Sequence, residues 1–345
     1  MLATQNRTIE LKDAPQIAGL RFRGFQGPSD YPHMAAVING SKDVDGIERS
    51  ATVEEVANTY EHLSDCDPYT DMLFAEVAGQ VIGYNRAFWY QQADGSRIYT
   101  VFGFLLPDWR RKGIGTVMLR WGEARLQQIA AGHPNDGPRY LQCWAEEGER
   151  GTIALLEQAG YQPVRWGISM VRDLSAPIPV APLPEGLQVR PVQPEHLRLI
   201  WEAASEAFQD HWGYSPPEEG DYQEWLAEPH ADPALWQVAW DGDQVAGMVQ
   251  NFVNQDENQE YERRRGYTEG ICVRRPWRKR GLARALLVRS MQMFKDMGMT
   301  ETALGVDAEN LSGALRLYQG VGYREVKRSA TYRKQMRQVV GSLDS

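Results

Sequence analysis

Cysteine is scarce in this sequence: Cys66, Cys143 and Cys272 are the only three among 345 residues. They are too few and too widely spaced for a disulfide framework or a zinc site. Each lies in an apolar stretch, which predicts a small buried side chain rather than a metal ligand. The cysteine content therefore indicates a reducing cytoplasm and no bound metal.

Long apolar runs are also missing. No stretch approaches the roughly 20 apolar residues that a membrane-spanning helix needs. Residues 1–7 contain no apolar core of a secretory signal. We therefore expect no membrane partner and a cytoplasmic location.

Positive charge is in the minority, with 37 lysine and arginine residues against 46 aspartate and glutamate residues. The formal net charge is −9 and the sequence pI is about 5.3. This balance argues against nucleic acid as a partner and mildly favours a cationic substrate. One basic run, residues 274–280, lies beside a glycine turn, where phosphate binding explains it better than nucleic acid does.

What the sequence does contain is an internal repeat. Gly113 in the first half is matched by Gly281 in the second, within the same basic turn. Residues 80–83 and 244–247 share the pattern Gln-Val-x-Gly, and the pair Gly-Tyr recurs at positions 160 and 322. A nearly constant offset over three landmarks indicates a duplicated domain. The length suits two domains of ordinary size.

Both halves show the same order of predicted elements. Alternation and helical spacing predict β-α-α-β-β-β-α-β-α-β in each, an α/β fold around one mixed sheet. Residues 175–186 contain four prolines and predict a semi-rigid spacer. We therefore predict a first domain over residues 1–174, a linker over 175–186 and a second domain over 187–345.

The repeated turn has the pattern of an anion site. It reads Arg-x-x-Gly-x-Gly from Arg110 and Arg-x-x-Gly-x-Ala from Arg278, between an apolar strand and an apolar helix. The first turn of a helix has backbone N–H groups without partners, and these attract phosphate. Glycine lets the backbone approach a pyrophosphate closely, and the basic residues add charge. The alternative is a basic turn that only caps a helix.

The element order and this turn resemble the GCN5-related N-acetyltransferase (GNAT) superfamily. The resemblance covers nearly the whole chain, once per half, in a two-domain arrangement similar to that of the mycothiol synthases. It implies two tandem domains, each a mixed, mostly antiparallel sheet flanked by helices, and acetyl-coenzyme A as cosubstrate. The cofactor-binding residues that it implies are Ile271, Val273, Arg278, Lys279, Arg280, Gly281, Leu282, Ala283 and Asn310 in the second half, and Leu105, Arg110, Arg111, Lys112, Gly113, Ile114 and Gly115 in the first.

A second family motif follows in the second half, from Asn310 to Tyr318 and then Gly322 and Tyr323. In the family the asparagine tends to bond the pantetheine arm, and the tyrosine lies near the thioester sulfur. We therefore predict that Tyr318 is a catalytic acid for the leaving thiolate. The alternative is that Tyr318 only packs on the core face of its helix.

Glu269 is the candidate general base. It lies on the strand before the turn, where apolar neighbours would raise the pKa of a carboxyl group. Strand alternation places it on one face with Ile271 and Val273 unless a bulge intervenes. The alternative is an edge carboxylate paired with one of the arginines at 263–265. A strand N–H near Val273 is the candidate oxyanion donor.

The two halves differ at these positions. Aligned on the repeat, Leu156, Gly148 and Val101 of the first half replace Tyr318, Asn310 and Glu269. We therefore expect the first half to bind coenzyme A, or to be a remnant of such a site, without catalysis.

The predicted function is transfer of acetyl from acetyl-coenzyme A to the amine of a small-molecule or peptide acceptor, catalysed by the C-terminal domain. The acceptor pocket is expected near residues 210–214, which include Asp210, His211, Trp212 and Tyr214. The alternative is a non-catalytic sensor or scaffold that binds acetyl-coenzyme A. A pure binding protein would have no use for the set of Asn310, Tyr318 and Glu269.

Overall fold

The computed structural model describes residues 8–48, 50–310 and 313–336, which form two compact units. The first unit contains the residues up to 164 together with those from 329 onward, and the second contains residues 165–328. Residues 1–7, in which no signal was predicted, lie outside the described residues, as do Leu311 and Ser312 of the second motif.

Both halves follow the predicted order of elements, with the short helices α3 and α8 as additions. The first half contains β1 (Leu20–Arg23), α1 (Tyr31–Asp45), α2 (Val53–Glu61), α3 (Pro68–Asp71), β2 (Met72–Val77), β3 (Gln80–Gln91), β4 (Arg97–Leu105), α4 (Ile114–Ala131), β5 (Arg139–Glu146), α5 (Arg150–Gln158) and β6 (Gln162–Asp173). The second half contains β7 (Gln188–Arg190), α6 (Leu197–Phe208), α7 (Glu219–Leu226), β8 (Gln237–Asp241), β9 (Gln244–Phe252), α8 (Gln255–Glu260), β10 (Arg265–Val273), α9 (Leu282–Asp296), β11 (Glu301–Asp307), α10 (Ala314–Gly320) and β12 (Arg324–Gln335).

The sheet of each unit is mixed and mostly antiparallel. In the first unit β1, β2, β3 and β4 pair antiparallel in sequence, and β5 then pairs parallel to β4. In the second unit β7, β8, β9 and β10 pair antiparallel, and β11 pairs parallel to β10. The predicted fold class is confirmed.

One strand in the sheet of each unit comes from the other half of the sequence. Residues 329–335 of β12 pair antiparallel with β5, and residues 167–173 of β6 pair antiparallel with β11. The compact units therefore divide the chain at 164 and 328, whereas the sequence pattern divided it at 174 and 187. The difference arises because a repeat aligned by sequence assigns each final strand to its own half.

The proline-rich segment 175–186 packs on the second unit and is not a free spacer. Ile178 and Leu183 contact the apolar core of that unit. The guanidinium of Arg172 donates a hydrogen bond of 2.8 Å to the carbonyl of Pro177.

Helices cover both faces of each sheet. In the first unit, α1 and α2 pack on one face, and α4 and α5 pack on the other. In the second unit, α6 and α7 cover one face, and α9 and α10 cover the other. The buried positions of α9 recur every three to four residues, as the helical period requires. No helix in the described ranges combines the length and apolar character that spanning a bilayer requires.

Candidate active site

In the second unit, the parallel strands β10 and β11 pair over three residues and then diverge. β10 and β11 are paired from Arg265 and Glu301 as far as Tyr267 and Ala303. Beyond that point β10 continues beside β9 only. The N–H of Gly305 on β11 donates to Oε1 of Glu269 at 3.0 Å instead of to the β10 backbone. The diverging strands thus place Glu269 in the gap.

A β-bulge changes the direction of side chains in this part of β10. Glu269 lies opposite Gln250 and Cys272 lies opposite Met248, so three steps on β10 match two on β9. Gly270 adopts a left-handed φ of 56°, and a Cβ there would lie 2.6 Å from the side-chain oxygen of Gln250. The simple alternation therefore does not hold, and Glu269 and Val273 lie on opposite faces of the sheet.

Glu269 has the environment of a general base. Burial raises the pKa of its carboxyl group to about 7, and the hydrogen bond from Gly305 lowers it by a smaller amount. Arg263 pairs with Glu257, and Arg265 pairs with Glu301. Within the described ranges no arginine forms an ion pair with Glu269, so the pairing with arginines 263–265 considered from the sequence is absent.

The ring of Tyr318 packs against the core of the second unit, and its hydroxyl makes no hydrogen bond to the described residues. Its side chain is 6% exposed, and its ring meets that of Tyr323 edge-on with centroids 6.2 Å apart. Among the described residues its hydroxyl has no hydrogen-bond partner. Burial raises the pKa of Tyr318, and the negative charge of Glu269 is the next cause. Glu269 is therefore close enough for its charge to act on Tyr318.

The two glycine turns have the same backbone geometry. Gly113 and Gly281 both adopt a left-handed φ of 84°, and the following residue begins α4 or α9. The first hydrogen bonds inside these helices run from Val117 to Gly113 and from Ala285 to Gly281. The N–H groups of residues 114–116 and 282–284 thus precede the intrahelical ladder and are available to an anion. A Cβ built on Gly281 meets no atom within 4 Å, so the turn is open.

The first arginine of each turn points into the protein. Nε of Arg110 donates to the carbonyl of Leu105, and its two terminal nitrogens bind Asp45 at 2.6 and 2.7 Å. Nε of Arg278 donates to the carbonyl of Val273 at 2.9 Å, and Nη1 binds Asp210 at 2.6 Å. Added charge for the phosphate was the sequence-based interpretation. The geometry shows that both guanidiniums instead tie the turn to the preceding strand and to the end of α1 or α6.

The remaining residues of the turns have two different environments. The side chains of Ile114 and Leu282 are fully buried, so only their backbone can contact a phosphate. Arg111 and Lys279 both adopt left-handed φ values, 61° and 60°. The exposed residues of the two turns are Arg111, Lys112, Gly113, Lys279, Arg280 and Gly281. The partly buried cofactor-binding candidates are Leu105, Gly115, Ile271 and Ala283.

Asn310 follows β11, and its N–H donates to the carbonyl of Asp307 at 3.1 Å. Its predicted contact with the pantetheine arm stays a prediction. In the first unit, Gly148 replaces it, and a Cβ there would lie 1.7 Å from the carbonyl oxygen of Asp45. The first unit therefore has no space for a side chain at this position.

The expected acceptor region is partly occupied by structural contacts. Hydrogen bonds from Arg275 and then Arg278 hold the pKa of Asp210 well below its usual range. His211 packs edge-on against Phe208 with centroids 4.6 Å apart, and burial lowers its pKa. The guanidinium of Arg165 lies 5.5 Å from the ring centre of Trp212. Asp210 therefore serves the turn rather than an acceptor.

Sequence reasoning missed the aspartates that anchor the turns. Asp45 and Asp210 are separated by nearly the same offset as the two glycine turns. A search for acidic residues repeated at that offset could have found them. Gly305 could not be found in this way, because its role depends on where two strands diverge.

The first unit contains a cavity of about 720 Å³ at the corresponding place. It is bounded at one end by the turn at Gly113 and Gly115. Val101 and Leu156, which the sequence alignment places against Glu269 and Tyr318, also line it. Neither side chain can exchange a proton, so this cleft lacks the groups that the second unit places together.

Known proteins share this architecture. The model of the acetyltransferase (GNAT) family matches residues 43–161 and 197–323. A mycothiol acetyltransferase of Geodermatophilus obscurus is 28% identical over 306 residues, which cover 86% of this chain and 91% of that protein. A mycothiol acetyltransferase of Salinispora arenicola is 30% identical over 239 residues, covering 66% of this chain and 70% of that protein.

Solved structures show the same likeness. A GCN5-related N-acetyltransferase from Sphaerobacter thermophilus superposes with a TM-score of 0.69 at 28% identity, covering 95% of this chain and 98% of that one. A tandem GNAT protein from the clavulanic acid biosynthesis pathway superposes with a TM-score of 0.61 at 14% identity, covering 92% and 98%. The second likeness concerns the fold alone.

Proposed function

This chain belongs to the acetyltransferase (GNAT) family, and we propose that its second unit transfers the acetyl group of acetyl-coenzyme A to the amine of a small-molecule acceptor. The observation that carries the proposal is the position of Glu269, which is buried where β10 and β11 diverge and receives the N–H of Gly305. The pKa of Glu269 is raised to about 7, and the charge of Glu269 acts on Tyr318. The first unit has apolar residues at both places.

The chemistry follows from these two groups. The carboxylate of Glu269 takes a proton from the acceptor ammonium, directly or through a water molecule. The freed nitrogen then attacks the thioester carbonyl. A backbone N–H of the bulged segment that ends at Val273 stabilises the oxyanion. The C–N bond forms first, and the C–S bond then breaks while Tyr318 donates a hydrogen bond to the leaving sulfur. The second proton of the nitrogen passes to the thiolate, which leaves as the thiol of coenzyme A.

The tyrosine need not transfer its proton completely. A phenol has a pKa near 10 and a thiol near 8.5, so full transfer is uphill by about 2 kcal/mol before burial is counted. Burial raises the pKa of Tyr318 further. We therefore assign it hydrogen-bond donation in the transition state.

The turn at Gly281 fits the pyrophosphate of the cosubstrate, because its N–H groups precede the helical ladder and the space above it is open. The acceptor class is supported by the named relatives, which are mycothiol acetyltransferases. At 28–30% identity they support a small-molecule amine without specifying which one. A screen of amines, amino acids, aminoglycosides, cysteinyl amines and peptides with acetyl-coenzyme A tests this class, and turnover of peptides alone would contradict it.

The raised pKa of Glu269 predicts how kcat/KM depends on pH. Its folded pKa is about 7, so the base form is lost as pH falls through that value. In the wild type, kcat/KM should fall on the acid side with an apparent pKa near 7. Glu269→Gln should lower kcat/KM on the order of 100-fold and remove that limb. The measurement is the pH profile of both proteins with one accepted amine.

The control for this experiment is the thermal stability of Glu269→Gln, which shows whether the variant is folded. A carboxyl group whose pKa is raised in the folded state stabilises the fold below its unfolded pKa, and this contribution is lost as pH rises through about 7. Above pH 7 the neutral amide of Glu269→Gln should therefore be at least as stable as the wild type in thermal melts. An acid limb that survives in this stable variant would assign the base to another group.

Tyr318→Phe should lower kcat by roughly 10- to 1,000-fold, or about 1.4–4 kcal/mol, with little change in stability. The ring keeps its packing, and the lost hydroxyl has no partner among the described residues. Steady-state and pre-steady-state kinetics would measure the effect.

The matched control is Tyr323→Phe. The hydroxyl of Tyr323 is bonded to Thr268 at 2.9 Å inside the core. Its removal should lower stability by about 1–3 kcal/mol and leave kcat nearly unchanged. A wild-type kcat in Tyr318→Phe, with chemistry rate-limiting, would leave Tyr318 as a packing residue.

A further inference from the structure

The proposed acetyl transfer takes place in the second unit and does not use the cavity of the first unit. The cavity of about 720 Å³ lies within the range of small-molecule sites, roughly 300–1,000 Å³. One end meets the glycine turn, where Arg111, Gly113 and Thr116 line it. The other end lies between β4 and β5, beyond the last pair of those strands, Thr100 and Gln142. This shape suits a long ligand with an anionic end.

A buried amide supplies a second, independent indication of a ligand. Asn85 lines the cavity and is only 3% exposed. Its Nδ2 donates to the carbonyl of Met118 at 2.8 Å, while its Oδ1 is buried and has no hydrogen-bond partner within the described ranges. An unpaired buried acceptor is costly, so a ligand N–H at this place would be stabilising. The pantetheine arm of coenzyme A carries two amide N–H groups.

The inner end of the cavity is apolar and partly aromatic. Phe102 lies against Trp144 and Phe104, with ring centroids 5.3 and 5.0 Å apart. All three line the cavity, and the side chain of Trp144 is 42% exposed. Counted along the paired strands, Phe102 lies opposite Arg86 as Glu269 lies opposite Gln250, so Phe102 occupies the place of Glu269. Where the second unit presents a carboxylate, the first presents surface that an apolar group would cover.

The thiol that lines the cavity is a poor nucleophile. Cys143 lines it, but burial raises the pKa of its thiol to about 12, so it stays protonated at neutral pH. Leu156 replaces the acid Tyr318. Neither of these two side chains would attack a bound thioester or protonate its leaving sulfur.

We propose that the first unit binds a coenzyme A thioester whose acyl group is apolar and larger than acetyl. The turn at Gly113 holds the pyrophosphate, Asn85 accepts an amide N–H of the pantetheine arm, and the ring cluster of Phe102, Phe104 and Trp144 covers the acyl chain. The bound thioester is a ligand of this unit and not a substrate.

The test measures the affinity of the full-length chain for three probes: coenzyme A, acetyl-coenzyme A and hexanoyl-coenzyme A. The chain carries Gly281→Trp, which obstructs the second turn, so calorimetry reports the first site. Each methylene moved from water to apolar surroundings strengthens binding roughly fourfold. Hexanoyl-coenzyme A should therefore bind at least tenfold more tightly than acetyl-coenzyme A.

Two variants separate the acyl end from the rest of the cleft. Trp144→Ala should reduce the hexanoyl preference to a few-fold, while its matched control Trp166→Ala, which removes a tryptophan that is 40% exposed on β6, should not. Gly151→Trp should weaken all three probes, because Gly151 lines the cavity and a Cβ there meets no atom within 4 Å.

Equal affinity for acetyl- and hexanoyl-coenzyme A would overturn the proposal. So would an absence of binding, a full hexanoyl preference in Trp144→Ala, or unchanged affinity for all three probes in Gly151→Trp. Acetyl transfer is assayed separately in the wild type. Its failure would count against the proposed function of the second unit and not against this site.

Discussion

A fragment of residues 187–345, the second domain as the sequence divides it, should not fold, whereas residues 165–328 should. The first fragment lacks residues 165–173 of β6, which pair with β11 along its whole length. It loses the core side chains Ile168, Met170 and Leu174. Removal of each large apolar side chain costs about 2–5 kcal/mol, against a total stability of about 5–15 kcal/mol. Circular dichroism and urea unfolding of both fragments check this.

The control fragment is residues 187–328, which omits β6 and also omits residues 329–345. It should fail to fold as well, which assigns the failure to the missing strand and not to the added terminus. Without β6, β11 would present an unpaired edge, so aggregation is expected. A cooperative urea transition from 187–345 that matches that of 165–328 would contradict the assignment of β6 to the second unit.

The fold class was readable from the sequence because it depends on local patterns. Alternating strands joined by tight turns predicted the hairpins β2–β3 and β8–β9, and both are present. Gly113 and Gly281 were predicted to begin a helix at an open turn, and both do so with a left-handed φ. In each case the signal and the structure that it determines lie close together in the sequence.

The exchange of β6 and β12 between the two halves could not be predicted from such local patterns. β5 lies in the first half of the sequence and β12 lies near its end. Neither strand has a local sequence feature that predicts their pairing. Alternation fixes which face of a strand is buried, and it leaves the choice of neighbour open. The repeat suggests that each half completes its own sheet, whereas the compact units exchange these strands.

The roles of Glu269 and Tyr318 stay predictions, and the structure adds the surroundings of each side chain. Glu269 is buried where β10 and β11 diverge, and its charge acts on Tyr318. The bulge after Glu269 was not predicted, because a single inserted residue leaves no periodic signal. The direction of Arg110 and Arg278 was misjudged, because a basic residue beside a phosphate turn was taken to face the phosphate.

Blocking the second turn should abolish acetyl transfer, and blocking the first should leave most of it. In Gly281→Trp a side chain enters the space of the pyrophosphate. Loss of two charge-assisted hydrogen bonds, at about 1.5–3 kcal/mol each, should lower kcat/KM on the order of 100-fold or more. Gly113→Trp removes the corresponding contacts in a unit that has Leu156 and Val101 in place of an acid and a base.

The two variants are matched controls for each other. Both glycines have a φ of 84°, so a tryptophan costs a similar strain of about 1–2 kcal/mol at either place. A built Cβ meets no atom within 4 Å at Gly281 and only Pro15, at 3.8 Å, at Gly113. Thermal melts should therefore fall by similar amounts while activity separates. If the folded Gly113→Trp protein alone lost acetyl transfer, catalysis would belong to the first unit, whose proton donor would then have to lie outside the aligned positions.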